Sequence, residues 1–190
     1  MHLIEPYYLW RNLYQSSRDK LSPFYGRQYS ELYFTNHVYD HYIHPQWDHF
    51  GSETLFMKVL FVDYEESYCV LEFIGEWNDC LHNDIMILKR EIIDLLVAEG
   101  IRKFILIGEN VLNFHASDES YYEEWLEDTE GGWVALINFH QHVLAEMRRN
   151  RLHFYLNFGN ALDDFTWRQL QPSDFFQLVE RSITSNLIED

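Results

Sequence analysis

Hydrophobic positions follow two rhythms along the chain, and the switch between them sets the predicted elements. Residues 54–64 (TLFMKVLFVDY) and 67–74 (SYCVLEFI) are short runs rich in aromatic and β-branched side chains. A polar Glu65-Glu66 turn joins them, which is the pattern of an antiparallel hairpin. Residues 83–99 change to helical spacing, with Ile85, Leu88, Ile92, Leu95 and Leu96 on one stripe. Asp79 or Asn83 is placed to cap that helix and Gly100 to end it.

The alternation continues toward the C-terminus. Strands are predicted over 102–108 (RKFILIG), 133–138 (WVALIN) and 152–158 (LHFYLNF), and helices over 117–128, 139–150 and 172–183. A short helix is predicted over 5–17 and an aromatic strand over 31–42, ended at His44-Pro45 because proline cannot donate to a ladder. The order α-β-β-β-α-β-α-β-α-β-α calls for an α/β (or α+β) fold. It would have a mixed sheet, an antiparallel hairpin followed by parallel βαβ units, and helices on both faces. The 190 residues suit a single domain, with 54–183 as the α/β core and 1–50 as a candidate N-terminal extension.

From about residue 54 to 158, the hairpin, the Gly75-Glu76 after "VLEFI", the amphipathic helix and the strand "KFILIG" resemble the element order of STAS-type, anti-sigma-factor-antagonist-like domains. In that family the loop after the equivalent strand carries a regulatory serine in an Asp-Ser-Ser-Gly-type motif. Here the stretch reads "ENVLNFHASDESYY", so the resemblance places Ser117 or Ser120 nearby. Ala116 and Asp118 flank Ser117 where the motif would stand.

Composition narrows the function classes. The net charge of −17 repels phosphate backbones and anionic lipid, so neither nucleic acid nor membrane is expected as a partner. Arg148, Arg149 and Arg151 cluster at a predicted helix end, where they complement the dipole. There is no basic leader followed by an apolar run and no run of 18 apolar residues, so the expected location is the cytoplasm. Cys69 and Cys80 read as reduced thiols, with Cys80 near a helix N-terminus that would favour its thiolate. Aromatics are 17% of residues, enough to fill a core and also to furnish a contact surface for a protein partner or a second copy.

Parallel sheets bind ligands beyond the carboxyl ends of their strands. The residues predicted there are Glu76, Asn78, Asp79 and His82, then Glu109, Asn110, Asn113 and His115, then Asn138 and His140, then Asn157 and Asn160. Glu76, Glu109, His115 and His140 are the catalytic candidates. Asn78, Asp79, Asn110, Asn138 and Asn157 are the ligand-binding candidates. If Glu76 faces Glu109, one carboxyl has a raised pKa, because two close carboxylates do not both ionise cheaply. A second constellation, "HVYDHYIHPQWDH", offers His37, His41, His44 and His49 as metal ligands alongside Asp40 and Asp48, at intervals that fit no standard zinc motif. The acidic run from Asp118 to Glu130 lacks a calcium-loop pattern and reads as a solvated helix face. No phosphate-loop or nucleophile-elbow motif is present, and no motif implies a cofactor. The favoured reading is a non-enzymatic binding or regulatory domain acting through protein contacts. The alternative is a small hydrolase or lyase at the strand tips, with or without a metal.

Overall fold

The computed structural model describes residues 4–30 and 32–189. A four-stranded mixed sheet organises them: β3 (Leu55–Asp63), β4 (Tyr68–Asn78), β5 (Lys103–His115) and β6 (Trp133–Ile137), side by side in that order. The β3–β4 pair is antiparallel, and β4–β5 and β5–β6 are parallel. A separate hairpin, β1 (His37–Val38) and β2 (His41–Tyr42), precedes the sheet. The expected architecture of antiparallel start and parallel continuation is therefore the one observed.

Alternation along each strand sorts side chains between two faces. Met57, Leu71, Phe73, Phe104, Leu106 and Leu136 point to the first face, together with helix residues Ile85, Leu88, Trp125, Val143 and Met147. Those helices are the crossovers. α1 (Asp79–His82) and the α2–α3 helix link β4 to β5, α4 (Ser120–Asp128) links β5 to β6, and α5 (Gln141–Arg149) follows β6. Successive crossovers advance in one direction across the sheet, so a constant hand stacks them on one face. The second face, with Tyr68, Val70, Ile105, Ile107 and Ala135, is covered by α6 (Pro172–Glu189) and by Trp10 and Trp167, which come from opposite ends of the sequence.

Several elements differ from the sequence expectation, each for a local reason. Residues 5–17 form turns around Trp10 rather than a helix. The aromatic strand expected over 31–42 shrinks to the two-residue strands of β1 and β2, and Glu31 lies outside the described residues. Residues 152–158 are not a strand. Leu152–Phe154 is a 3-10 turn, and the chain touches the sheet edge only at an isolated parallel bridge between Asn157 and Ala135. β4 and β5 run beyond their expected ends because they go on pairing with each other, Asn78 opposite His115, after β6 has stopped at Ile137. The predicted 83–99 helix is α2 (Asp84–Leu88), a π-helical turn (Lys89–Ile93) and α3 (Asp94–Ala98) in succession. Asn78 caps α1 through its side chain, and Asp79 accepts from the backbone N–H of Ile85 at the start of α2. Gly100, at φ +94, ends the helix as expected.

Gly108 lets the ring of Phe139 lie on β5, since a Cβ there would come within 2.3 Å of that ring. Among the described residues no helix is long and apolar enough to cross a membrane.

Candidate functional site

The polar residues expected at the strand tips are brought near the sheet's carboxyl end but divided into separate groups. Glu76 and Asn78 lie within β4, and Glu109, Asn110, Asn113 and His115 lie within β5, because both strands are longer than their apolar cores. Glu76 accepts from Asn113 at 3.0 Å and from the hydroxyl of Tyr39 at 2.8 Å. Glu109 takes different partners: Asn138 Nδ2 at 2.9 Å, Trp167 Nε1 at 2.7 Å, and Arg168. His115 and His140 are exposed, and His140 stacks on His142. Asn110 lines a small cavity of about 70 Å³ with Tyr39, His41 and Glu76. Asn157 donates to the backbone of Val134.

Asp79 is buried and accepts from Trp77 Nε1, Ile85 N and the Tyr122 hydroxyl at 2.7–2.9 Å. Burial pushes its pKa up to about 7 against those hydrogen bonds. Its partners come from the start of the helix and from α4, so it fastens the crossover layer to β4. Cys80 is exposed in α1, whereas burial raises the Cys69 thiol well above its ordinary value.

The residue that faces Glu109 is Glu72, a charge in the middle of the apolar run "VLEFI". It sits opposite Lys58 in the β3–β4 register, so both point to the second face. Lys58, Glu72 and Glu109 on β3, β4 and β5, with Asn138 just past the end of β6, thus form a polar row. Glu72 is 1% exposed. Its Oε2 accepts from the backbone N–H of Tyr7 at 2.7 Å, and its Oε1 is 3.9 Å from Arg168, which also holds Glu109. The N-terminal segment closes over the row: the Tyr7 hydroxyl donates to the Arg168 carbonyl, and Trp10 Nε1 donates to the Leu170 carbonyl at 3.0 Å.

Burial and the neighbouring Glu109 push Glu72 up to about 7, with the Tyr7 N–H and Arg168 opposing. Glu109 is also desolvated. Its hydrogen bonds from Asn138, Arg168 and Trp167 outweigh that and hold its carboxyl below the ordinary value. The two carboxyls differ because burial dominates at Glu72 and hydrogen bonds dominate at Glu109, with the charge of Glu109 a smaller contribution at Glu72; the acid beside Glu109 is Glu72 rather than Glu76. The signal for Glu72 was in the sequence, as an ionisable residue at an inward strand position. The signal for Tyr7 and Arg168 was not, because they arrive from distant segments.

The histidine stretch divides as well. His44 is buried against Glu5 at 3.5 Å, His49 packs on Phe56, and His37 packs on Tyr42. His41 lines the small cavity beside Glu76. Among the described residues, the one trio of metal-ligating groups with ligand atoms within 4.8 Å is Asp94, Glu124 and Asp128. The Lys89 ammonium, turned inward on the π turn, already occupies it, bonded to Asp94 and to Asp128 at 2.6 Å. Glu124 also pairs with both terminal guanidinium nitrogens of Arg90. Part of the acidic run thus neutralises buried and half-buried cations rather than standing free in solvent.

The β1–β2 hairpin has two sides. Val38 and Ile43 pack inward with Trp47, Phe56 and Ile74. Outward stand Tyr39 (65% exposed) and Tyr42, with Leu32 (80%) and Tyr33 (75%) from the preceding segment beside Tyr42, and exposed Leu112 from β5 beside Tyr39 at the small cavity. Tyr39 holds a left-handed backbone (φ +50) at a turn position that normally takes Gly or Asn. Compared with known proteins, the chain matches no family model and no curated protein.

Proposed function

We propose that the chain is a non-catalytic binding domain whose partner surface is the β1–β2 hairpin, and that the partner is a second copy of the chain. The observation that carries this reading is the set of exposed apolar side chains at an anchored hairpin, Tyr39 and Tyr42 on it and Leu32 and Tyr33 in the segment that leads into it. Large rings give much contact area for little lost side-chain freedom, and patches of them mark interfaces. Charge supports the same place. In a chain of net charge −17, residues 32–47 contain one acid, Asp40, and three histidines, so repulsion between two copies is low there. A shared two-fold axis would set the hairpin against its own equivalent.

The strand-tip groups support a non-catalytic reading by their pairing: Glu76 and Glu109 are bound to separate partners, and Glu72 is sealed beneath Tyr7. The element-order resemblance to STAS-type domains is in keeping with a regulatory binding role. The test is sedimentation velocity on the full chain and on a Tyr33→Ser, Tyr39→Ser, Tyr42→Ser variant. A concentration-dependent dimer that the triple variant loses, with an unchanged circular dichroism spectrum, is the expected result. A monomer at every concentration contradicts the proposal.

A further inference from the structure

A much larger cleft than the one beside Glu76 lies where the N-terminal segment meets edge strand β3. It measures about 570 Å³, within the range of small-molecule sites. Arg11 and Arg18 come from the turns after Tyr7, Arg27 from the next loop, and Lys58 from β3. No acidic residue lines it, although acids outnumber bases 31 to 14 in the chain. The remaining polar lining is uncharged: the hydroxyls of Ser16 and Ser17, glutamine amides and tyrosine rings.

Asp48 lies behind the cleft, fully buried. It accepts from Arg27 at 3.0 Å and from the Tyr29 hydroxyl at 2.6 Å, and it pairs with Lys58 at 3.1 Å. Asp19, which accepts from the Tyr14 hydroxyl at 2.8 Å, is a second carboxylate nearby, so two carboxylates against four cations leave two positive charges at the cleft. The lining phenols do not offset them. Burial and their carboxylate partners raise the pKa of both Tyr14 and Tyr29, so each stays protonated. Lys58 is desolvated and lies 3.6 Å over the Tyr29 ring, and that desolvation lowers its pKa against the pull of Asp48. Arg11 Nη2 is buried without a hydrogen-bond partner among the described residues. Leaving a charged donor unpaired is costly, and an incoming anion would relieve that cost.

We propose that this cleft is a binding site for a small phosphorylated molecule, with Arg11 and Arg18 holding the phosphoryl oxygens, and with Lys58 and Arg27, the latter held to Asp48 and the His49 carbonyl, supplying charge beside them. The guanidinium forks of Arg11 and Arg18 match the tetrahedral, multiply charged oxygens of a phosphate or diphosphate, each fork giving two parallel donors. The tyrosine rings give the organic part an apolar wall. The strongly negative remainder of the molecule excludes extended polyanions, so selection falls on compact ligands that fit inside the positive pocket.

Calorimetric titration of the full chain with inorganic pyrophosphate at low salt, alongside its thermal midpoint, tests this. The expected result is saturable binding with one site per chain, a raised midpoint, and weakening as sodium chloride is added. Citrate, a polycarboxylate of comparable charge, should bind about tenfold more weakly, and Arg11→Gln with Arg18→Gln should weaken pyrophosphate by about tenfold or more. Arg18 is exposed, so Arg18→Gln alone leaves the fold intact and should still lower affinity. The proposal is overturned if pyrophosphate neither saturates nor raises the midpoint, if citrate binds as tightly, or if Arg18→Gln leaves affinity unchanged.

Discussion

The two faces of the central sheet are built from the same four strands yet are held in different ways. On the first face the strands meet the crossover helices that follow them in sequence, and the contact is almost wholly apolar: Phe104 against Trp125, with Leu106, Leu136 and Met147 around them. On the second face the apolar centre is bordered by the row of Lys58, Glu72, Glu109 and Asn138. The covering segments there are as far apart as Trp10 and Leu170. The first face is stabilised by burial of local neighbours. The second exchanges some of that burial for directional polar contacts that fix how the two ends of the chain come together. Unpaired, Glu72 would be a buried charge in an apolar strand. Paired, it sets the place of Tyr7, and with it the wall of the cationic cleft.

The comparison predicts effects of different size and kind. The largest falls on the first face. Phe104→Ala should cost about 3–5 kcal/mol in chemical denaturation, because a closely packed ring site leaves a cavity. A loss under about 1 kcal/mol would mean that this face is loosely packed.

Next comes the pH dependence of the second face. Glu72 ionises at about 7 in the folded chain against a reference of 4.5. Below 4.5 it is protonated in both states and costs nothing. As pH rises toward 7 the unfolded chain loses its proton first, and folding stability falls. For Glu72 alone the fall is about 3 kcal/mol, and Asp79 adds to it in the same direction. Glu72→Gln should therefore flatten part of that decline, raising stability at pH 8 more than at pH 5. Denaturation across that window checks it, and equal effects at both ends would contradict the assignment.

Arg168→Gln should be smaller, about 1 kcal/mol, because the guanidinium is half exposed and screened. It should also move the Glu72 transition upward by removing the nearest cation. The smallest stability change belongs to the hairpin rings. Tyr33→Ser should change the free energy of unfolding by less than about 0.5 kcal/mol while weakening self-association.

How far the sequence reached follows the same division. Strands β3 to β6 and helices α4 to α6 were readable from periodicity, because each buries one face beside its sequence neighbours. The strand expected at 152–158 was not formed. Its apolar alternation is used instead by Leu152 and Leu156 packing into the first-face core from a turn, while only Asn157 reaches the sheet edge. The length of β5 was hidden because Glu109, Asn110 and Asn113 look like loop residues, yet pairing with β4 keeps them extended. Glu109 was recognisable as a strand-tip acid, and Asn138 as a residue near it. Their partners Trp167 and Arg168, and the cover given to Glu72 by Tyr7, depend on contacts across as many as 65 residues of sequence, which no local pattern encodes.

The second face rests on the buried Glu72, held between the Tyr7 N–H and Arg168, with Glu109 kept ionised beside it. A carboxyl-detected NMR titration of the two glutamates measures this directly. Glu72 should titrate near 7 and Glu109 below its ordinary value. Two ordinary curves, both centred near 4.5, would contradict it and would place Glu72 in water instead of beneath the N-terminal segment.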